Sequence, residues 1–379
     1  MVSFDFQPRT RVLFGPGSVT RVGQLARDLG FRRTLVVADP GIRQAGHTDR
    51  VLEALTDEKI ETFLFDRFGV NPDSAMVDAG VTFARPLEVD SIVGVGGGSS
   101  LDCAKGINFL LTNGGRMRDY RGYGKARHAL LPMIGVPTTA GTGSEAQSYA
   151  LISDAETHAK MACGDPGAAF RVAILDPLLT VSQPRGVTAA AGFDAIAHAV
   201  ETYVTTRRNP LSELFSREAW ALLESNHERV LAEPRDVEAR AAMLLGAHYA
   251  GAAIENSMLG ATHACANPLS ARYGMTHGVA LALLLPTVVR WNGEAAGARY
   301  DELLQLAQEQ SSPRSPAGLA RRLEELAQAG EFPAKLGAAG VSKGDLELLA
   351  EDAAGQWTGR FNPRAFDAAG ALEVYECAY

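Results

Sequence analysis

A change of rhythm near residue 180 constrains this chain more than any other feature. Before it, short apolar runs at 34–38, 62–65, 91–95, 131–136 and 172–175 read as buried strands, and helix-like segments at 41–58, 74–86 and 100–111 separate the first four. Continuous apolar strands with helices between them predict a parallel sheet covered by helices, because a parallel pair needs a long crossover, usually a helix. Beyond it, segments rich in Ala, Leu, Glu and Arg at 212–231, 235–256, 277–292, 296–310, 315–328, 343–354 and 365–377 carry helical periodicity, so the second half is expected to be all-helical. The boundary is expected in Asp176-Pro-Leu-Leu-Thr-Val-Ser-Gln-Pro184, where two prolines flank capping-type residues. That gives an α/β domain over 1–182 and a helical domain over 183–379. No internal repeat is present, and Ser311-Ser-Pro-Arg-Ser-Pro316 reads as a surface loop.

Composition excludes several classes of function. With 379 residues and 46% hydrophobic content the chain can bury a substantial core. Its net charge of −8, without a lysine or arginine run, argues against nucleic acid as a partner. No apolar run reaches transmembrane length, and the start lacks a basic segment followed by an apolar one, so neither membrane anchor nor signal peptide is expected and a cytoplasmic location follows. Cys103, Cys163, Cys265 and Cys377 have neither metal-type nor disulfide-type spacing and are expected to be reduced, small buried hydrophobes.

The chain has only eight histidines, and three of them group with one acid. Asp194 and His198 are four apart in a helix that is apolar nearly all round, so they share a face and are expected to be buried. A buried carboxylate needs a cation or strong donors. The pair alone reads equally as a solvated helix face or an internal hydrogen bond. His263 stands in an apolar, small-residue stretch expected to end near Pro268, and His277 opens a new apolar helix after Gly274. Each histidine alone reads more simply as a core or capping residue; together, one oxygen and three imidazoles make a ligand set suited to Fe(II) or Zn(II), with room for a substrate oxygen.

Two glycine- and hydroxyl-rich turns follow strands. Gly96-Gly-Gly-Ser-Ser-Leu-Asp-Cys-Ala-Lys105 runs from strand to helix, where backbone amides and a helix N-terminus can receive a pyrophosphate. It is neither the G-x-G-x-x-G fingerprint nor a P-loop, and can also be a plain tight turn. Pro137-Thr-Thr-Ala-Gly-Thr-Gly-Ser-Glu145 offers hydroxyls that hold ribose and phosphate, or that cap a helix through Thr142 or Ser144. Asp39, ending the strand 34–38, can accept ribose hydroxyls and repel the extra phosphate of NADP, which favours NAD; it can equally form an Asx turn.

These motifs in this order, with Gly192-Phe-Asp-Ala-Ile-Ala-His198, the His263 segment, Thr276-His-Gly278 and Asn362-Pro-Arg364, resemble the iron-containing (group III) alcohol dehydrogenases from about Phe14 to the C-terminus. The resemblance implies an N-terminal dinucleotide-binding α/β domain with a parallel sheet, an all-helical metal-binding domain, and a cleft holding cofactor and substrate. It implies metal ligation by Asp194, His198, His263 and His277, with Fe(II), or Zn(II) as the alternative, as the ion. It also implies NAD contacts at Asp39, Asn71, Gly97, Gly98, Ser99, Thr138, Thr139, Thr142 and Lys160. Asn71 and Lys160 enter only by this resemblance, since a turn-forming Asn-Pro pair and a solvated lysine would account for them otherwise. The implied activity is interconversion of an alcohol and its aldehyde or ketone by hydride transfer to NAD, in a homo-oligomer, dimer or larger.

One position departs from the family pattern. Four residues after His263, where the family usually has another histidine, stands Asn267, which cannot titrate near neutrality. It is a candidate substrate-binding or proton-path position. Zinc-type polyol dehydrogenases, dehydroquinate synthases and maleylacetate reductases share the expected architecture but differ in ligand set, and a catalytically silent nucleotide-binding protein is the reading from another class.

Overall fold

The computed structural model of the chain describes residues 3–307 and 315–379, so most of the loop expected at 311–316 lies outside the described residues. Two compact units divide after Ser182: Gln7–Ser182 forms one, and Gln183–Tyr379 with the N-terminal stretch ending at Phe6 forms the other.

The first unit contains strands Arg11–Phe14 (β1), Arg33–Ala38 (β2), Glu61–Phe65 (β3), Ser91–Gly96 (β4), Gly122–Tyr123 (β5), Met133–Pro137 (β6), Tyr149–Ser153 (β7), Lys160–Gly164 (β8) and Val172–Leu175 (β9). Its helices are Val22–Asp28 (α1), Pro40–Gln44 (α2), His47–Asp57 (α3), Ser74–Ala84 (α4) and Gly98–Asn113 (α5). Six strands form one sheet in the order β1-β9-β6-β4-β2-β3, with every pairing parallel. Alternation along the strands feeds two cores. Leu35, Val37, Ile92 and Met133 pack with α4 and α5 on one face, while Val36, Ala38, Val93, Val95, Ile134 and Val136 pack with α1 and α3 on the other.

Three features depart from the sequence expectation. The edge strand β1 is short and largely exposed, so it leaves no apolar run to read. A second sheet, β5-β8-β7, contains the antiparallel pair β7–β8, half-buried strands that alternate instead of running apolar. The segment 41–58 is two helices, because Asp39 caps α2 and the chain turns at Ala45 and Gly46 before α3 begins.

The second unit holds helices Arg185–Val204 (α6), Pro210–Ala232 (α7), Val237–Glu255 (α8), Ala261–Tyr273 (α9), His277–Trp291 (α10), Gly293–Leu306 (α11), Pro316–Ala329 (α12), Leu346–Ala354 (α13) and Ala368–Ala378 (α14), with no strand among the described residues. Helix α6 packs against α7, α8 and α10 and is buried along nearly its whole length from Thr188. The His263 helix does not stop near Pro268 but continues to Tyr273. Proline there cannot serve the carbonyl four residues back, and the adjacent carbonyl of Cys265 accepts the Tyr375 hydroxyl at 2.6 Å. No described helix is long and apolar enough to cross a membrane. Cys103, Cys163 and Cys265 are free and buried, whereas Cys377 is exposed, contrary to the expectation for that residue.

Candidate metal centre and nucleotide turns

Helix α6 presents Asp194, His198 and Glu201 at i, i+4 and i+7, one face of the helix, and all three are buried. His263 stands in the first turn of α9, and His277 is the first residue of α10. The start of α10 is pressed onto α6 at Gly278, where any Cβ would collide with the backbone carbonyl of Ala190. Only glycine permits this approach, and the approach carries His277 to Asp194.

All three histidines converge on one carboxylate oxygen. The distances from Asp194 Oδ1 are 3.3 Å to His198 Nε2, 3.7 Å to His263 Nε2 and 3.9 Å to His277 Nε2. The His198 and His263 rings stack with centroids 4.8 Å apart, and His277 lies 5.4 Å from His263. Ligand atoms of Asp194, His263 and His277 all fall within 4.8 Å of one another, a span that can surround a metal ion. Asp194 Oδ1 and His263 Nε2 are buried with no hydrogen-bond partner, so the centre fits a cation better than a hydrogen-bonded core.

Electrostatics agree with the geometry. Burial works to raise the Asp194 carboxyl, but the charges of His198, His277 and His263 outweigh it and hold the group well below the usual carboxylate range. Burial works to lower His263, yet the carboxylates of Glu201 and Asp194 push it up to about 9. Glu201 was not recognised in the sequence. Its Oε2 lies 2.5 Å from His263 Nδ1, and its Oε1 accepts the Thr262 amide at 2.6 Å. The available signal was an acid three residues after His198 in an otherwise apolar buried helix.

Of the residues assigned to the nucleotide, Asp39, Gly97, Gly98, Ser99, Thr138, Thr139 and Thr142 follow the carboxyl ends of β2, β4 and β6, the edge at which open α/β sheets bind ligands. The glycine turn and the threonine turn pack against each other: a Cβ on Gly98 would come within 2.7 Å of the Thr142 side chain, and one on Gly97 within 3.1 Å of Thr139. Thr138 is buried and donates its amide to Gly96 O at 3.0 Å. Thr142 does not cap a helix by itself; its hydroxyl accepts the Ser144 amide at 3.2 Å, beside a short 3-10 turn. Asn71, with a positive φ of 52°, donates its amide to Ser99 Oγ at 3.1 Å. Asp39 makes the Asx-type cap, accepting from Gly41 and Ile42 amides at 2.9 and 3.2 Å, and its second oxygen accepts from Ser100 Oγ at 3.0 Å. Lys160 begins the separate strand β8 and is exposed, though its charge acts on Asp102.

A buried network under these turns was also missed. Lys105 Nζ donates to the carbonyls of Ser144, Gln147 and Tyr149 at 2.7–2.8 Å, and Ser144 Oγ donates to Asp102 at 2.7 Å. The lysine therefore anchors the threonine turn onto α5 from within, instead of reaching a phosphate. Asn267 lies one turn beyond His263 on α9, half-buried, and donates to Gln356 Oε1 at 3.1 Å.

Comparison with known proteins agrees with this architecture. Residues 8–177 match the family model for iron-containing alcohol dehydrogenase, and residues 188–379 match the C-terminal model of the same family. The NAD-dependent methanol dehydrogenase of Bacillus methanolicus is 32% identical over 96% of both chains, and the 1,3-propanediol dehydrogenase of Klebsiella pneumoniae is 34% identical over 95% of both. A crystal structure of a 1,3-propanediol oxidoreductase superposes with a TM-score of 0.95 at 33% identity over the full length of both chains. The chain belongs to the iron-containing alcohol dehydrogenase family. It is an alcohol oxidoreductase, interconverting an alcohol and its carbonyl compound.

Proposed function

We propose that this dehydrogenase is NAD-linked and depends on a divalent metal, Fe(II) with Zn(II) as the alternative, held by Asp194, His198, His263 and His277. The observation that carries this reading is the convergence of three imidazole Nε2 atoms on one buried carboxylate oxygen. When bound, the cation supplies Lewis-acid polarisation of the substrate oxygen, and the dinucleotide supplies the hydride acceptor. The chain's own residues hold and orient. Gly97, Gly98 and Ser99 open helix α5, where amides and helix dipole favour a pyrophosphate. Asn71, Thr138, Thr139, Thr142 and Lys160 surround that turn in this reading, and Asp39 keeps acceptor capacity for ribose hydroxyls while its charge opposes a 2′-phosphate. The α/β unit is thus the dinucleotide domain and the helical unit the metal domain, in a cytoplasmic homo-oligomer acting on a small alcohol or aldehyde.

Asn267 is the position that bears on substrate choice. A carboxamide there can bind a second polar group on the substrate, in competition with Gln356. Asn267→Ala should then raise KM roughly tenfold for the true substrate and leave simple alkanols little changed; an equal change for both classes would make the residue structural. The metal reading is tested by stripping the protein with a chelator and assaying NAD-linked oxidation across primary alcohols, diols and hydroxy acids. Activity should vanish and return with Fe(II) or Zn(II), and full activity in stripped protein would contradict it.

A further inference from the structure

Helix α9 begins with two amides satisfied from distant parts of the chain. Ala261 N–H donates to Asn362 Oδ1 at 3.2 Å, and Thr262 N–H donates to Glu201 Oε1 at 2.6 Å. The other oxygen of Glu201 meets His263 Nδ1. One buried carboxylate therefore grips both the start of the helix and the ring of its first histidine. Asn362 is itself locked, exchanging amide bonds with Asn292 at 3.0 and 2.8 Å. The Asn362-Pro-Arg364 motif, without a part in the reaction so far described, thus holds the helix that carries His263.

We propose that Glu201 is a positioning residue of the metal centre: its carboxylate keeps a proton on His263 Nδ1, so that Nε2, 3.7 Å from Asp194 Oδ1, is the nitrogen left to give up its proton and ligate the ion. The assignment rests on the metal reading above. An ionised carboxylate offers only acceptors, so the ring nitrogen against it must donate. A neutral imidazole that donates through Nδ1 keeps Nε2 as its lone pair, the form that ligates metal. His263 Nε2 has no hydrogen-bond partner, as a ligating atom requires.

Glutamine cannot replace this group. Thr262 N–H and His263 Nδ1–H need two acceptors, and an amide has one oxygen. Whichever way the amide turns, its NH2 faces a donor or forces the imidazole proton onto Nε2, where it blocks ligation.

The test is chelator competition on zinc-loaded wild type, Glu201→Gln and Asn362→Ala, the last of which weakens the helix start but leaves the contact to Nδ1. Zinc affinity should fall by about tenfold to hundredfold in Glu201→Gln, the loss typical of a group that orients a ligating histidine, and by clearly less in Asn362→Ala. Equal losses in the two variants, or less than about a threefold loss in Glu201→Gln, would reduce Glu201 to a helix cap and overturn the assignment. Should Glu201→Gln fail to fold, nitrogen NMR of histidine-labelled, zinc-loaded wild type decides: a protonated Nδ1 on His263 is expected, and an unprotonated or zinc-bound Nδ1 overturns the proposal. Wild type that retains no zinc would overturn the metal reading itself, whereas tight zinc in both wild type and Glu201→Gln overturns this assignment alone.

Discussion

Asp39 already serves three donors within the protein: two amides of α2 and the hydroxyl of Ser100. Its carboxylate is therefore a structural cap as well as the proposed discriminator between NAD and NADP, and a test must separate the roles. Asp39→Asn keeps an oxygen for the Asx cap and a polar group for Ser100 while removing the charge. The variant should gain kcat/KM with NADP relative to NAD, from a wild type that prefers NAD. Equal wild-type kcat/KM values for the two cofactors would remove the basis for the assignment. The sequence allowed both readings of Asp39 because an Asp-Pro-Gly turn and a ribose acceptor occupy the same strand end; hydrogen-bond partners sixty residues away are not written locally.

At the scale of elements, the metal centre is an arrangement of three helices. Asp194 and His198 were legible because helical periodicity alone puts positions four apart on one face. Glu201 obeys the same periodicity and was overlooked, since its partners, Thr262 and His263, lie on another helix and only packing reveals them. Lys105 carried no role in the sequence reading, because its burial under the threonine turn follows from a tertiary contact that no local pattern encodes. The β7–β8 pair escaped because strands half-exposed on one face carry no continuous apolar run. The contact of α10 with α6 at Gly278 makes a prediction at this scale. Gly278→Ala must push the two helices apart against the Ala190 carbonyl, at a cost of roughly 1–3 kcal/mol typical of overpacking. The displaced element carries His277, so bound metal should fall together with the thermal midpoint; a variant with unchanged metal content and midpoint would show that this approach does not set the site.

Across the whole molecule, acid should destabilise the helical unit through a buried group that is not one of the proposed ligands. His227 on α7 is fully buried beside Phe193, and burial, with the charges of Arg322 and Arg185 adding to it against Glu228, pulls its pKa from 6.5 down to about 4. The unfolded chain then binds the extra proton between those values, so the stability contributed by neutral His227 is present above about pH 6.5 and is lost as pH falls toward 4. His227→Leu should lose about 2 kcal/mol less than wild type between about pH 7.5 and pH 5, read from urea midpoints. Parallel loss in both proteins would place the acid sensitivity elsewhere. The proposed activity depends on one centre, in which histidines from α9 and α10 meet a carboxylate on α6. The most direct measurement is metal per chain in purified His277→Ala beside wild type. Wild type should carry one tightly bound divalent ion per chain and the variant should lose it along with alcohol oxidation; stoichiometric, chelator-resistant metal in the variant would contradict the ligand set.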